Sequence, residues 1–217
     1  MYLFFKRLID IILSLAGLVF LSPIFLILII GIKVDSKGPV FFKQKRVGLN
    51  KAHFTILKFR TMRIDTPKDT PTHLLKDPER YITKMGKFLR KTSLDELPQI
   101  WNIFVGQMSI IGPRPALWNQ YDLIAERDKY GANNVPSGLT GWAQINGRDE
   151  LPIEVKAKLD GEYAHKISMY MDLRCFLGTV ISVVKSDGVV EGDSLMKSKK
   201  KSYDPKLKKR TNISKGR

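Results

Sequence analysis

Ile11–Ile32 is a run of 22 residues without a single charge, and no other stretch restricts the fold as much. Such a run has the hydropathy of a membrane segment, and as a straight helix it would measure roughly 33 Å, enough for a bilayer core of about 30 Å. No small-x-small cleavage site follows it, which argues against a signal peptide. Ser22 and Pro23 interrupt it at the middle, where proline removes one backbone hydrogen bond and bends a helix. Its flanks are basic on both sides, Lys6 and Arg7 before, Lys33, Lys37, Lys43, Lys45 and Arg46 after. Since basic flanks stay in the cytoplasm, the residues leave two readings open: a kinked single span, or a helix that dips in and returns.

Val40–Met62 reads as a β-hairpin, with VFFKQKR and FTILKFRTM flanking the turn-like GLNKA. Lys58 and Arg60 are two apart on the second strand and so share a side; for Lys58 a solvated face is an adequate account. Asp65–Asp77, with Pro67 and Pro71, reads as a surface loop. Tyr81–Lys91 places Tyr81, Ile82, Met85, Phe88 and Leu89 on one helical face and basic residues on the other, the pattern of an interfacial helix or an ordinary surface helix.

Lys91–Phe104, KTSLDELPQIWNIF, is the chemical centre. Leu94, Leu97, Trp101, Phe104 and Met108 recur at helical spacing. Asp95 and Glu96 sit at the start of the pattern, where a helix N-terminus favours anions. An ionised carboxylate beside a metal and a phosphoanhydride is a plausible covalent nucleophile. Ser93 with Glu96 also spells a capping box, which would make the acids merely structural. Pro98 would then lie too deep in the helix; if it instead opens the helix, both carboxylates fall outside and are free for chemistry.

Ser109–Pro115, SIIGPRP, holds Arg114 between two prolines, and a guanidinium fork suits bidentate phosphate contact. Gly138–Arg148, GLTGWAQINGR, offers Gln144, Asn146 and Arg148 among glycines that permit close backbone approach, or else a structural turn packed on Trp142. It is neither GxGxxG nor a Walker loop. Asp172–Lys185 reads as a core or interface helix with Leu173, Phe176, Leu177, Val180, Ile181 and Val184 on one face and Asp172 near its start. The net charge of +16 is concentrated at the end: residues 196–217 carry ten Lys or Arg against Asp204 alone. The tail after Glu191 is expected to be disordered. One cysteine, Cys175, excludes an internal disulfide, and three scattered histidines make no zinc site.

The order of membrane segment with Ser-Pro, FKQKR, KFRTM, KTSLDELPQ, IIGPRP, GLTGWAQINGR and DLR resembles the bacterial sugar transferase family over roughly residues 1–190. These are monotopic phosphoglycosyl transferases, and the chain resembles their small form. The resemblance implies an α+β, mostly helical fold: a re-entrant membrane helix broken at Ser22 and Pro23, a small β-hairpin, and amphipathic interfacial helices around a cytoplasmic active site. It divides the chain into residues 1–35 in the membrane, a catalytic domain over 36–190 and a basic tail over 191–217. It places the protein at the bacterial inner membrane, monotopic, with the catalytic domain facing the cytoplasm.

The implied reaction moves a phosphosugar from a UDP-sugar to undecaprenyl phosphate through an acyl-phosphosugar on Asp95, with release of UMP. Asp95 and Glu96 would hold Mg2+, and Asp172 matches a further functional acid. Arg60, Arg90, Arg114 and Arg148 match the cations around the substrate phosphates, with Gln144 as a further substrate contact. The implied partners are the UDP-sugar, undecaprenyl phosphate and anionic lipids, with no nucleic acid and with room for a homodimer. In one place the chain departs from the pattern: the family reads R-P-G before L-T-G-W, whereas Val135–Gly138 is VPSG, without the arginine. A membrane-anchored binding module, using the tail on anionic lipid or RNA, would explain the charge but not Asp95 and Glu96 beside an arginine set.

Overall fold

A computed structural model describes residues 2–66, 78–147 and 151–185. Much of the loop before Asp77, Arg148 and the basic tail lie outside these residues. The apolar run forms two helices, α1 (Tyr2–Phe20) and α2 (Ser22–Asp35), bent by 60°. The bend follows from Pro23, which cannot donate to the carbonyl of Val19 four residues back. Ser22 Oγ donates to that carbonyl instead, at 2.7 Å. Among the described residues no single helix is long and apolar enough to cross a membrane; only the bent pair passes by length and composition.

Both ends of the bent pair are fastened to one body. α1 buries Lys6, Asp10 and Ser14, spaced four apart on one face, and leaves Phe4, Leu8, Ile12, Leu15, Val19 and others exposed on its remaining surface. Asp10 Oδ1 accepts from the Ile110 N–H at 3.0 Å, and Arg7 donates to the carbonyls of Ile103 and Phe104 at 2.6 and 2.7 Å. At the far end, Leu28 and Ile32 of α2 pack with Phe59 and Leu89. Asp35 there accepts from the Met85 N–H at 3.1 Å.

The hairpin is present as β1 (Phe41–Val47) and β2 (His53–Phe59), antiparallel, with Lys43 opposite Leu57 and Arg46 opposite Phe54. After it come α3 (Lys84–Lys91) and α4 (Gln99–Phe104), then β3 (Ser109–Ile111) and β4 (Ala116–Leu117). The chain continues with α5 (Tyr121–Asp128), β5 (Gly138–Thr140), α6 (Trp142–Ile145), α7 (Ile153–His165) and α8 (Met169–Lys185). β4 joins the free edge of β1, giving the order β2-β1-β4, while β3 and β5 form a parallel pair. The fold is therefore mixed helix and sheet, and mostly helical.

Two helices turn differently from what periodicity suggests. α4 has only six residues, and it buries Gln99, Asn102 and Ile103 while Trp101 is exposed. Polar side chains face inward because the neighbouring edge of β2 offers unpaired backbone groups: Asn102 Oδ1 accepts from the Leu57 N–H at 3.0 Å and Asn102 Nδ2 donates to the Thr55 carbonyl at 2.8 Å. α8 buries Met171 and Cys175, and the stripe of Leu173, Phe176, Leu177, Val180 and Ile181 faces outward, each about half exposed. α8 is thus no core helix; its apolar stripe is a surface.

Candidate active site

Lys91–Phe104 is not one helix. Ser93 adopts a left-handed conformation, φ 56°, and makes no side-chain cap, so the capping box does not form. Leu94–Glu96 is a separate 3-10 turn, and Pro98 caps the start of α4. Asp95 and Glu96 therefore lie outside the helix, the arrangement that Pro98 permits. The Asn102 staple to β2 fixes this turn against the strand.

The strand residue facing the turn is Lys58. Its Nζ lies 2.6 Å from Glu96 Oε1 and 4.0 Å from Asp95 Oδ2. Arg114 grips the same glutamate with Nη2 at 2.6 Å from Oε1 and Nη1 at 3.4 Å from Oε2. Arg90, at the end of α3, donates from Nε to Thr61 Oγ1 at 3.0 Å and adds positive charge felt at Asp95. The structure thus gathers Asp95, Glu96, Arg90 and Arg114 and adds Lys58, whose strand position alone reads as a solvated face.

The two adjacent carboxylates are held very differently. Burial would raise the Glu96 carboxyl, but Arg114 and Lys58 outweigh it and hold that group well below the usual carboxylate range. At Asp95 burial is the largest influence and prevails, pushing the carboxyl up against the pull of Lys58, with the neighbouring Glu96 charge adding to the rise. Among the described residues no hydrogen bond reaches the Asp95 carboxylate, and its ionic partner there is Lys58 at 4.0 Å. Glu96 is locked by two cations, and Asp95 is buried without a hydrogen-bond partner among the described residues.

The other expected site residues are placed as follows. Arg60, just past the end of β2, is 5 % exposed, and its terminal nitrogens donate to the carbonyls of Lys37 and Ser36 at 2.8 and 2.7 Å. It clamps the exit of α2, so the alternation that pairs it with Lys58 ends where the strand does. Asp172 receives Tyr2 Oη at 2.7 Å and Lys6 Nζ at 2.5 Å on one oxygen and Tyr163 Oη at 2.6 Å on the other. It ties α1 to α8 and α7, and among the described residues no hydrogen bond or ion pair joins it to Asp95 or Glu96. Gln144 lies in α6 with both amide atoms buried and without a partner among the described residues. Arg148 lies outside the described residues.

The glycines of the GLTGW segment serve backbone packing. A Cβ on Gly138 would sit 2.1 Å from Gly112 N, one on Gly141 2.1 Å from Gly112 O, and one on Gly112 2.3 Å from Pro136 O. Two loops meet there with no room for side chains, which fixes the backbone that carries Arg114. Trp142 packs in the core beneath them, its Nε1 donating to Glu162 at 3.1 Å and Arg174 lying 4.6 Å over its ring. The VPSG variation falls at this contact: Pro136 supplies the carbonyl against Gly112, and Ser137 is buried.

Residues 1–186 match the model of a family described as bacterial sugar transferase. The chain belongs to the bacterial sugar transferase family. It is 41% identical over 184 residues to "Uncharacterized sugar transferase EpsL" of Bacillus subtilis (strain 168), covering 85% of this chain and 89% of that protein. It is 39% identical over 186 residues to the UDP-glucose:undecaprenyl-phosphate glucose-1-phosphate transferase of Xanthomonas campestris pv. campestris, covering 82% of this chain but only 38% of that longer protein. A third relative, the exopolysaccharide production protein ExoY of Sinorhizobium fredii, is 33% identical over 197 residues, with 84% and 87% covered. The chain is thus similar to small relatives along most of their length and to a minor part of the longer glucose-1-phosphate transferase.

The resemblance implies a divalent cation at Asp95 and Glu96. Among the described residues no cluster of three or more acidic, histidine or cysteine side chains could hold a metal unaided. Mg2+ commonly takes one or two carboxylates and completes its shell with substrate phosphate and water. Asp95, which accepts no side-chain hydrogen bond among the described residues, fits that requirement, whereas the Glu96 oxygens are already held by Lys58 and Arg114.

Proposed function

We propose that this family member is a polyprenyl-phosphate sugar-1-phosphate transferase that uses Asp95 as a covalent nucleophile. The observation that carries the reading is the asymmetry of the pair, Glu96 held by Lys58 and Arg114 while Asp95 accepts no hydrogen bond from the described residues. A carboxylate with free lone pairs, in a site whose surplus charge is positive, is what attack on a phosphoanhydride needs.

In the first step an Asp95 oxygen attacks the β-phosphorus of a UDP-sugar. The bond from that phosphorus to the bridging oxygen breaks, and UMP leaves with the electron pair. In the second, a phosphate oxygen of undecaprenyl phosphate attacks the same phosphorus, and the Asp95–phosphorus bond breaks to regenerate the carboxylate. Arg114, Lys58 and Arg90 neutralise charge on the phosphate oxygens as it shifts. Asp95, with Glu96 beside it, would hold Mg2+ together with the substrate phosphates, and the ion would supply further neutralising charge to the diphosphate.

The acceptor is a lipid, so the site must lie at the headgroups. On this reading the helix pair enters one leaflet and returns, which is supported by the ties of its start to Ile103, Phe104, Ile110 and Asp172 and of its end to Met85 of the same body. The outward apolar stripe of α8 offers further surface for such contact. This reading places the enzyme on the cytoplasmic face of a bacterial inner membrane.

The test is intact-protein mass spectrometry. Wild type given a UDP-sugar and magnesium without lipid gains the mass of one phosphosugar and releases UMP, whereas Asp95→Asn does neither. Full turnover by Asp95→Asn refutes the covalent role; release of UDP in place of UMP identifies a glycosyltransferase instead.

A further inference from the structure

The FKQKR strand has no part in the chemistry described so far, yet it is built into the site. In β1 the side chains alternate, with Lys43 and Lys45 outward and Gln44 and Arg46 turned inward. Arg46 Nη1 donates to the Pro115 carbonyl at 3.0 Å, and its Nη2 donates to Gln44 Oε1 at 2.6 Å. Gln44 is itself buried. Pro115 is the residue after Arg114, and directly beyond it β4 pairs with β1, Arg46 opposite Leu117 and Val47 opposite Ala116.

We propose that Arg46 is a positioning residue for Arg114, holding through the Pro115 carbonyl the loop from which Arg114 grips Glu96. The loop needs such a support. Pro113 and Pro115 have no N–H with which to bond a neighbour, so the carbonyls carry the anchoring. Gly138 N donates to the Pro113 carbonyl at 2.9 Å on one side of Arg114, and Arg46 takes the Pro115 carbonyl on the other. Arg114 itself is more than one-third exposed, so packing alone does not set its direction. A guanidinium suits the position because its planar fork reaches two acceptors at once, the carbonyl and the Gln44 amide; an ammonium reaches them without that fixed geometry. Arg46 thus acts through Arg114 on the locked state of Glu96.

The test uses the full chain in detergent and has two arms. In the first, no substrate is present, and an arginine-selective dicarbonyl reagent is followed residue by residue by mass spectrometry. Arg46→Met is expected to raise the modification rate of Arg114 about fivefold or more, while the buried Arg127 stays protected and the exposed Arg63 stays unchanged. Unchanged labelling of Arg114 in a variant that keeps Arg127 protected overturns the proposal. Should Arg127 become reactive, the variant has unfolded, and Arg46→Lys takes its place, with an Arg114 rate between wild type and a fully released loop as the supporting result and a wild-type rate as the refuting one.

The second arm measures UMP release, and it rests on the phosphotransfer reading, which the labelling arm does not. Arg46→Met and Arg114→Met are each expected to lower kcat by 10- to 100-fold, and the double variant to be no more than about twofold worse than Arg114→Met. Losses that multiply show that Arg46 acts elsewhere. If no UDP-sugar yields UMP while Arg114 labelling responds as stated, the functional reading fails and the positioning role stands.

Discussion

Replacing Lys58 with methionine keeps most of the side chain's volume and removes one charge from the Asp95–Glu96 pair. The ammonium lies 4.0 Å from the Asp95 carboxylate. At that distance Coulomb's law gives about 1 kcal/mol in water and about 4 kcal/mol at an effective dielectric near 20. Losing that attraction raises the Asp95 carboxyl further above a position that burial has already raised. Asp95 must be ionised to attack, so the acid limb of the rate profile moves to higher pH. The measurement is single-turnover UMP release across pH 5 to 9 at saturating magnesium, without lipid, so that the acceptor phosphate cannot contribute to the profile. Lys58→Arg should keep the limb near its original place. A Lys58→Met profile that drops in height but keeps its acid limb would refute the argument, because Lys58 would then serve substrate or structure and not the ionisation of Asp95.

Four further outcomes are expected. Asp95→Asn should lower turnover by at least about a thousandfold and abolish the covalent mass gain, since a neutral amide oxygen is a poor nucleophile. Lys6→Met should cost about 2 to 4 kcal/mol in unfolding measurements, because it strands the nearly buried Asp172, whereas Lys51→Met at the exposed pair with Asp128 should cost under about 1 kcal/mol; equal costs would contradict the role of the Lys6–Asp172 tie. A cysteine at position 2 in a Cys175→Ser background should resist an impermeant thiol reagent in intact cells and react after lysis, and replacing Ser22 and Pro23 together with alanine should shift the label towards the outside; labelling of the parent in intact cells would mean that the segment spans. Removing residues 196–217 should weaken binding to anionic liposomes at low salt and leave turnover in detergent nearly intact; collapse of turnover there would make the tail part of the site.

The break in the apolar N-terminal segment and the hairpin were legible in the chain because each has a local cause. Pro23 lacks an N–H wherever it stands, Ser22 is within reach of Val19, and the β-branched and aromatic runs on either side of GLNKA are close enough in the chain to pair through a short turn. The family, and with it the acidic pair and Arg114, was legible because several short motifs occur in one order. Which side chains those motifs bring together was not legible. Lys58 and Arg60 are two apart and look alike in sequence, yet one salt-bridges Glu96, 38 positions away, and the other clamps Ser36 and Lys37. Nothing in the sequence singles out Asn102, whose role exists only because the unpaired edge of β2 stands beside it. Asp172 carries the same chemistry as Asp95, but its oxygens are taken by Tyr2, Lys6 and Tyr163, and only the packing of α1 on α8 decides that. Local steric and hydrogen-bonding rules act within a few residues and can be read along the chain; the ionisation and availability of a carboxylate depend on charges and burial within a few ångströms, and only the tertiary structure brings those together.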